Sequence, residues 1–79
     1  MIGEFLFHVA VTRVYPDGHD DTFGIKWTEK KSEADEAFHK AVKTENKLVE
    51  AGCIKEVYII EEICFWSDSC CYILKSFRR

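Results

Sequence analysis

The stretch SEADEAFHKAVKTENKLVEAG, Ser32 to Gly52, decides the fold. Ala34, Ala37, Phe38, Ala41, Val42, Leu48 and Val49 recur at the three- and four-residue spacings that bring side chains onto one side of a 3.6-residue spiral, so the stretch reads as one amphipathic helix. Glu45 alone interrupts the stripe. Ser32 is placed to cap the first turn, with Asp35 three residues on as a weaker capping-box acid, and Glu33, Asp35 and Glu36 set negative charge at the positive end of the helix dipole. Gly52 supplies the stop, because it enters the left-handed region without steric cost. Lys40, Lys43, Lys47 and Glu50 form a solvated outer face, and the alanines of the stripe let the axis approach a sheet closely.

Outward from the helix, both flanks read as strands. On the N-terminal side Glu4 to Tyr15 alternates: Phe5, Phe7, Val9, Val11 and Tyr15 share the better core side, and Leu6, His8, Ala10, Thr12 and Val14 share the other. Tyr15-Pro16-Asp17-Gly18-His19 reverses the chain, since proline presets the first turn position, aspartate bonds back to the backbone and glycine takes a positive φ. Thr22 to Thr28 then alternates with Phe23, Ile25 and Trp27 on one side, and core burial is expected for that side, Trp27 included, although Trp27, Tyr58, Trp66 and Phe77 are also the aromatics that suit binding.

On the C-terminal side Ile54 to Trp66 is dense in β-branched and aromatic residues. Val57, Ile59, Ile63 and Phe65 have one parity and Tyr58, Ile60, Cys64 and Trp66 the other, with a break at Glu61-Glu62. Such a strand is covered on both sides or bulged near the two glutamates. Ser67-Asp68-Ser69 is a turn signal before the last strand, Cys70 to Phe77.

The order β-β-α-β-β predicts an α+β fold: one domain spanning residues 1–79, with a four-stranded, mainly antiparallel sheet and one helix across one face. One helix covers one side only. Leu6 and Ala10, with some of Tyr58, Ile60 and Trp66, are then left on the open side, and an apolar sheet face left open marks a protein partner or a homodimer seam.

Composition narrows the function. At 79 residues the chain has room for one core, and its apolar content of 47% with 14% aromatics argues against disorder. A net charge of −3 argues against a dedicated nucleic-acid binder, since phosphate neutralisation needs clustered Lys and Arg. Met1 to Ala10 alternates like a strand and lacks a basic n-region, and no apolar run reaches the roughly 20 residues that cross a bilayer, so a cytoplasmic protein with no membrane partner is expected.

In that reducing setting Cys53, Cys64, Cys70 and Cys71 are expected as buried thiols. Cys64 and Cys70 or Cys71 flank one turn and are placed to meet across a hairpin, which leaves a disulfide or a metal open. Yet no Cys-x-x-Cys pair or zinc-finger spacing occurs, and no metal or cofactor is expected. His8, His19 and His39 are scattered over strand, turn and helix with no nucleophile beside them, so they are expected at the surface or sheet edges and no catalytic residue is assigned.

Asp17, His19, Asp20 and Asp21 make a solvated acidic tip without calcium-loop spacing, suited to a basic partner surface. Trp66 borders a turn, where a large amphipathic ring suits an interface. The partner-binding candidates are therefore Asp17, Asp20, Asp21, Tyr58, Ile60 and Trp66, in a small non-enzymatic protein-binding module. A nucleic-acid-binding regulator using Lys30, Lys31, Lys40, Lys43 and Lys47 with sheet aromatics is the alternative.

In size, acidity and element order the chain resembles the small phage-encoded proteins that block host defence, anti-CRISPR proteins among them. That resemblance implies inhibition by occluding a host protein surface, and it assigns no residue a role.

Overall fold

The computed structural model describes residues 4–67 and 69–79, so Asp68 of the second turn and Met1, Ile2 and Gly3 of the N-terminal stretch lie outside it. Five elements follow one another: β1 (Phe5–Val14), β2 (Asp20–Thr28), α1 (Lys31–Glu50), β3 (Glu56–Phe65) and β4 (Cys70–Arg78). The strands form one sheet in the order β2-β1-β3-β4 with every neighbouring pair antiparallel, and α1 crosses one face over β1, β2 and β3. This is the expected α+β arrangement. Central β1 and β3 are each paired on both edges.

The first turn closes as its residues demand. Gly18 has φ 95°, its N–H bonds the Tyr15 carbonyl at 2.9 Å, and Asp17 accepts the His19 N–H at 3.0 Å. The helix stops as expected at Gly52, whose φ is 78°. Its N–H bonds the Val49 carbonyl at 3.1 Å and the Cys53 N–H bonds the Leu48 carbonyl at 2.9 Å, the pair of bonds that closes a Schellman ending.

The helix start differs from expectation. Lys30 occupies the capping position with no side-chain bond, and Ser32 lies inside the first turn. Thr28, at the end of β2, does the work instead: its Oγ1 accepts the Lys30 N–H at 3.1 Å and donates to Glu33 at 2.8 Å. Asp35 pairs with Lys31 at 3.1 Å and Lys75 at 3.2 Å rather than closing a capping box.

Phe7, Val9 and Val11 of β1, Val57 and Ile59 of β3, and Phe38 of α1 carry the core, with Ala34 and Ala41 admitting the helix close to the sheet. Glu45 falls on the same helical line as Ala34, Phe38 and Ala41 and is buried with them. Its carboxylate accepts two bonds from Arg13 of β1, at 2.6 and 2.7 Å, which answers the charge that the sequence leaves as a break in the stripe.

Two irregularities decide which side chains face outward. Along β1 and β2, Val9 pairs Lys26 and the next pair is Ala10 with Gly24, so Ile25 is the extra residue of a bulge. The bulge shifts parity. Phe23 lies opposite Val11 on the helix side, whereas Trp27 lies opposite His8 on the open side, which corrects the expectation of one shared core face. On the other flank, β1 and β3 pair without interruption from Phe5 with Phe65 to Val14 with Glu56. The shift near the glutamates is against β4, where Leu74 is the extra residue between Lys75 opposite Glu61 and Ile73 opposite Glu62. Glu61 therefore points under the helix and Glu62 to the open face.

Candidate functional site

The open face is centred on His8. Its ring stacks on that of Trp27 with centroids 3.6 Å apart, and its Nδ1 lies 2.8 Å from a carboxylate oxygen of Glu62 on β3. An N–H on Nδ1 donated to that carboxylate leaves Nε2 as the lone-pair nitrogen, and Nε2 is buried without a hydrogen-bond partner against Gly24. A Cβ at Gly24 would stand 2.7 Å from it, so the missing side chain is what admits the ring. His8 is thus held on three sides, not placed at a surface or edge as its isolation in the sequence suggests.

Next to Glu62 on the same face, Cys64 of β3 and Cys71 of β4 are opposite one another, with Cα atoms 4.0 Å apart, and form a disulfide. Cys53 and Cys70 are exposed. The expectation of four buried thiols is therefore overturned: strand pairing makes Cys71, rather than Cys70, the partner of Cys64, because alternate residues of β4 face opposite sides of the sheet. The donor atoms of Glu62, Cys64 and Cys71 lie within 4.8 Å of one another.

Beside the disulfide runs an apolar groove of about 300 Å³ lined by Leu6, Trp27, Cys64, Phe65, Trp66 and Cys71 among others. Trp27 is 59% exposed and Trp66 62% exposed, so two indole rings flank one groove. Ile73, opposite Glu62, continues the exposed apolar surface of this face along the edge strand β4, while Tyr72, opposite Ile63, is exposed on the other side of the sheet.

The six residues proposed from the sequence do not converge. Trp66 lies at the groove, following the end of β3 that pairs the start of β1. Tyr58 lies toward the other end of β3, half-buried with the Arg78 guanidinium 4.8 Å above its ring, and Ile60 is half-buried between them along the strand. Asp17, Asp20 and Asp21 are exposed at the β1–β2 tip, beyond Tyr58. There the backbone N–H of His19 is the first of the influences that hold the Asp17 carboxyl below the usual carboxylate range, and the His19 ring is the second. Of the lysines that suit nucleic acid, Lys30, Lys31 and Lys40 stand 3.9, 3.1 and 3.8 Å from Glu33, Asp35 and Glu36.

Sequence reading set Trp27 in the core ahead of an interface, and it missed the His8–Glu62 pair and the buried acid Glu61. Gly24 inside an alternating strand is the signal that would have placed Trp27, because such a glycine marks a bulge or a close approach. Glu61 is fully buried beneath the helix, with no hydrogen bond to either carboxyl oxygen. Burial, then the nearby Asp35 carboxyl, raises it to about 7, while Asp35 is held down to about 2 by Glu61 first and then by Lys31 and Lys75.

No family model, curated protein or solved structure matches the chain. Among the described residues, no helix is long and apolar enough to cross a membrane.

Proposed function

We propose that the protein is a non-enzymatic protein-binding module that docks through the open sheet face at the groove between Trp27 and Trp66, taking an apolar segment of a partner protein. The observation that carries this reading is the exposure of both indoles, 59% and 62%, on the face that α1 leaves uncovered. Tryptophan is the residue that most often dominates interface energy, and a pair flanking a groove offers two anchors for one segment. Leu6 and the Cys64–Cys71 bond line the groove, and the Thr12–Thr22 hydroxyl pair, at 2.9 Å, gives the same face a polar margin farther along β1. A module of this kind acts by occupancy, covering the surface it binds, as an inhibitor from a phage or mobile element would.

The test is capture from extracts of the producing cell with three baits: the wild type, a Trp27→Ser/Trp66→Ser double variant, and Lys43→Ala as a surface control. A partner held by the wild type and Lys43→Ala but lost from the double variant supports the reading. A partner set unchanged by the double variant overturns it. Sedimentation equilibrium distinguishes the homodimer: concentration-dependent mass lost in the same double variant assigns the face to a second copy.

A further inference from the structure

We propose that Glu62, Cys64 and Cys71 form a redox-gated zinc site, closed in the disulfide form seen here and opened when a dithiol reduces the Cys64–Cys71 bond. The inference does not rest on the docking reading, although the site lies at the wall of the same groove. Three donors of the types zinc prefers, two sulfurs and one carboxylate oxygen, already lie within 4.8 Å of one another. In a tetrahedral site with Zn–S about 2.3 Å and Zn–O about 2.0–2.2 Å, donor atoms stand about 3.6–3.8 Å apart, so the sulfurs need only separate from bonding distance while the carboxylate closes in.

The scaffold suits such a site. Cys64 and Glu62 are two residues apart on β3 and therefore share a face, and Cys71 faces Cys64 across the β3–β4 ladder. His8 supplies the outer contact: its Nδ1 lies 2.8 Å from Glu62 Oε2, leaving Oε1 for the metal. Ligating carboxylates are characteristically hydrogen-bonded in this way. His8 is itself fixed by the Trp27 stack and by Gly24. His8 is thus a positioning residue and the three ligands leave a fourth position toward the groove, which Cys64 and Cys71 line.

The chemistry balances with a dithiol as reductant. Two thiols of the reductant become its disulfide and deliver two electrons and two protons, which convert Cys64–Cys71 into two thiols. Zinc then replaces those two protons, which pass to solvent.

The test titrates zinc into purified protein before and after reduction by a dithiol that is then removed, reading metal stoichiometry by mass spectrometry under native conditions and affinity by competition with a chromogenic chelator. One zinc per chain is expected after reduction and none before it. Cys71→Ser should abolish binding, whereas Cys53→Ser and Cys70→Ser should leave it unchanged. His8→Phe should weaken affinity about 10–100-fold without changing stoichiometry, as loss of an outer hydrogen bond to a ligand does. Cobalt loaded in place of zinc should give a thiolate charge-transfer band that Cys71→Ser removes. Equal binding before and after reduction, binding retained by Cys71→Ser, or a reduced chain that loses its circular dichroism and does not recover it with zinc each overturns the proposal.

Discussion

Arg13 of β1 and Glu45 of α1 meet in a two-pronged ion pair, Nε to Oε1 at 2.6 Å and Nη2 to Oε2 at 2.7 Å, that ties the helix to the central strand in the middle of an apolar stripe. Glu45 is 3% exposed, and its bond is the largest cause raising the Arg13 pKa above its ordinary value. Removing one partner strands the other. Arg13→Ala, which leaves the Glu45 carboxylate buried without its cation, should therefore cost about 3 kcal/mol in urea unfolding, whereas the paired change Arg13→Met/Glu45→Leu should recover most of that. Equal losses in the single and paired variants would show that the charge is not what matters.

Glu61 makes stability fall as pH rises. The folded chain keeps its proton up to about pH 7, whereas an unfolded glutamate releases it near pH ~4.3. Between those values the unfolded chain binds fewer protons, so the stability of the neutral acid is fully present below the lower value and is lost through the upper one. Asp35, held at about 2, contributes its opposite slope only below about pH 4. Urea midpoints measured from pH 5 to pH 8 should fall for the wild type by an amount worth about 1–3 kcal/mol, and Glu61→Gln should remove most of that slope. Parallel curves for the two proteins would rule out Glu61 as the source.

Phe38 is the large anchor of α1 in the core, flanked by Ala34 and Ala41 on the same line. Phe38→Ala should cost about 3–5 kcal/mol, enough to unfold much of so small a domain at 37 °C, as thermal denaturation will show. Lys43→Ala, on the exposed outer face, should stay within about 0.5 kcal/mol of the wild type.

Gly24 is tied to His8 by space. A methyl at Gly24 would stand 2.7 Å from His8 Nε2 and 3.4 Å from Trp27 Nε1, so Gly24→Ala must displace a ring stacked on one side and hydrogen-bonded on the other. A loss of about 1–3 kcal/mol is expected, with a shift in the Trp27 fluorescence maximum. Gly24→Ala combined with His8→Ala should restore most of the stability, and a double variant no better than the single one would place the strain elsewhere.

Legibility varied along the chain for physical reasons. The helix from residue 31 to residue 50 was readable because its period is local, and Gly52 ended it because a positive φ of 78° is a backbone demand that a residue type announces. The Tyr15 to His19 reversal was readable for the same reason. The helix start was not, because its cap comes from Thr28, a residue of the preceding strand that folding brings to Lys30 and Glu33. The fate of Trp27 was not readable from alternation, because one extra residue, Ile25, moves every later side chain of β2 to the other face.

What the amino-acid order determined alone was the kind and succession of elements: two alternating strands, a turn set by Pro16 and Gly18, an amphipathic helix stopped at Gly52, and two further strands. These depend on interactions within a few residues. Only the tertiary structure decided that Glu45 meets Arg13, that His8 is seated on Trp27 and Glu62, and that Cys64 takes Cys71. Those pairings join residues on separate elements, and their choice follows from strand register and bulge position, which the whole sheet selects by burying one face under the helix.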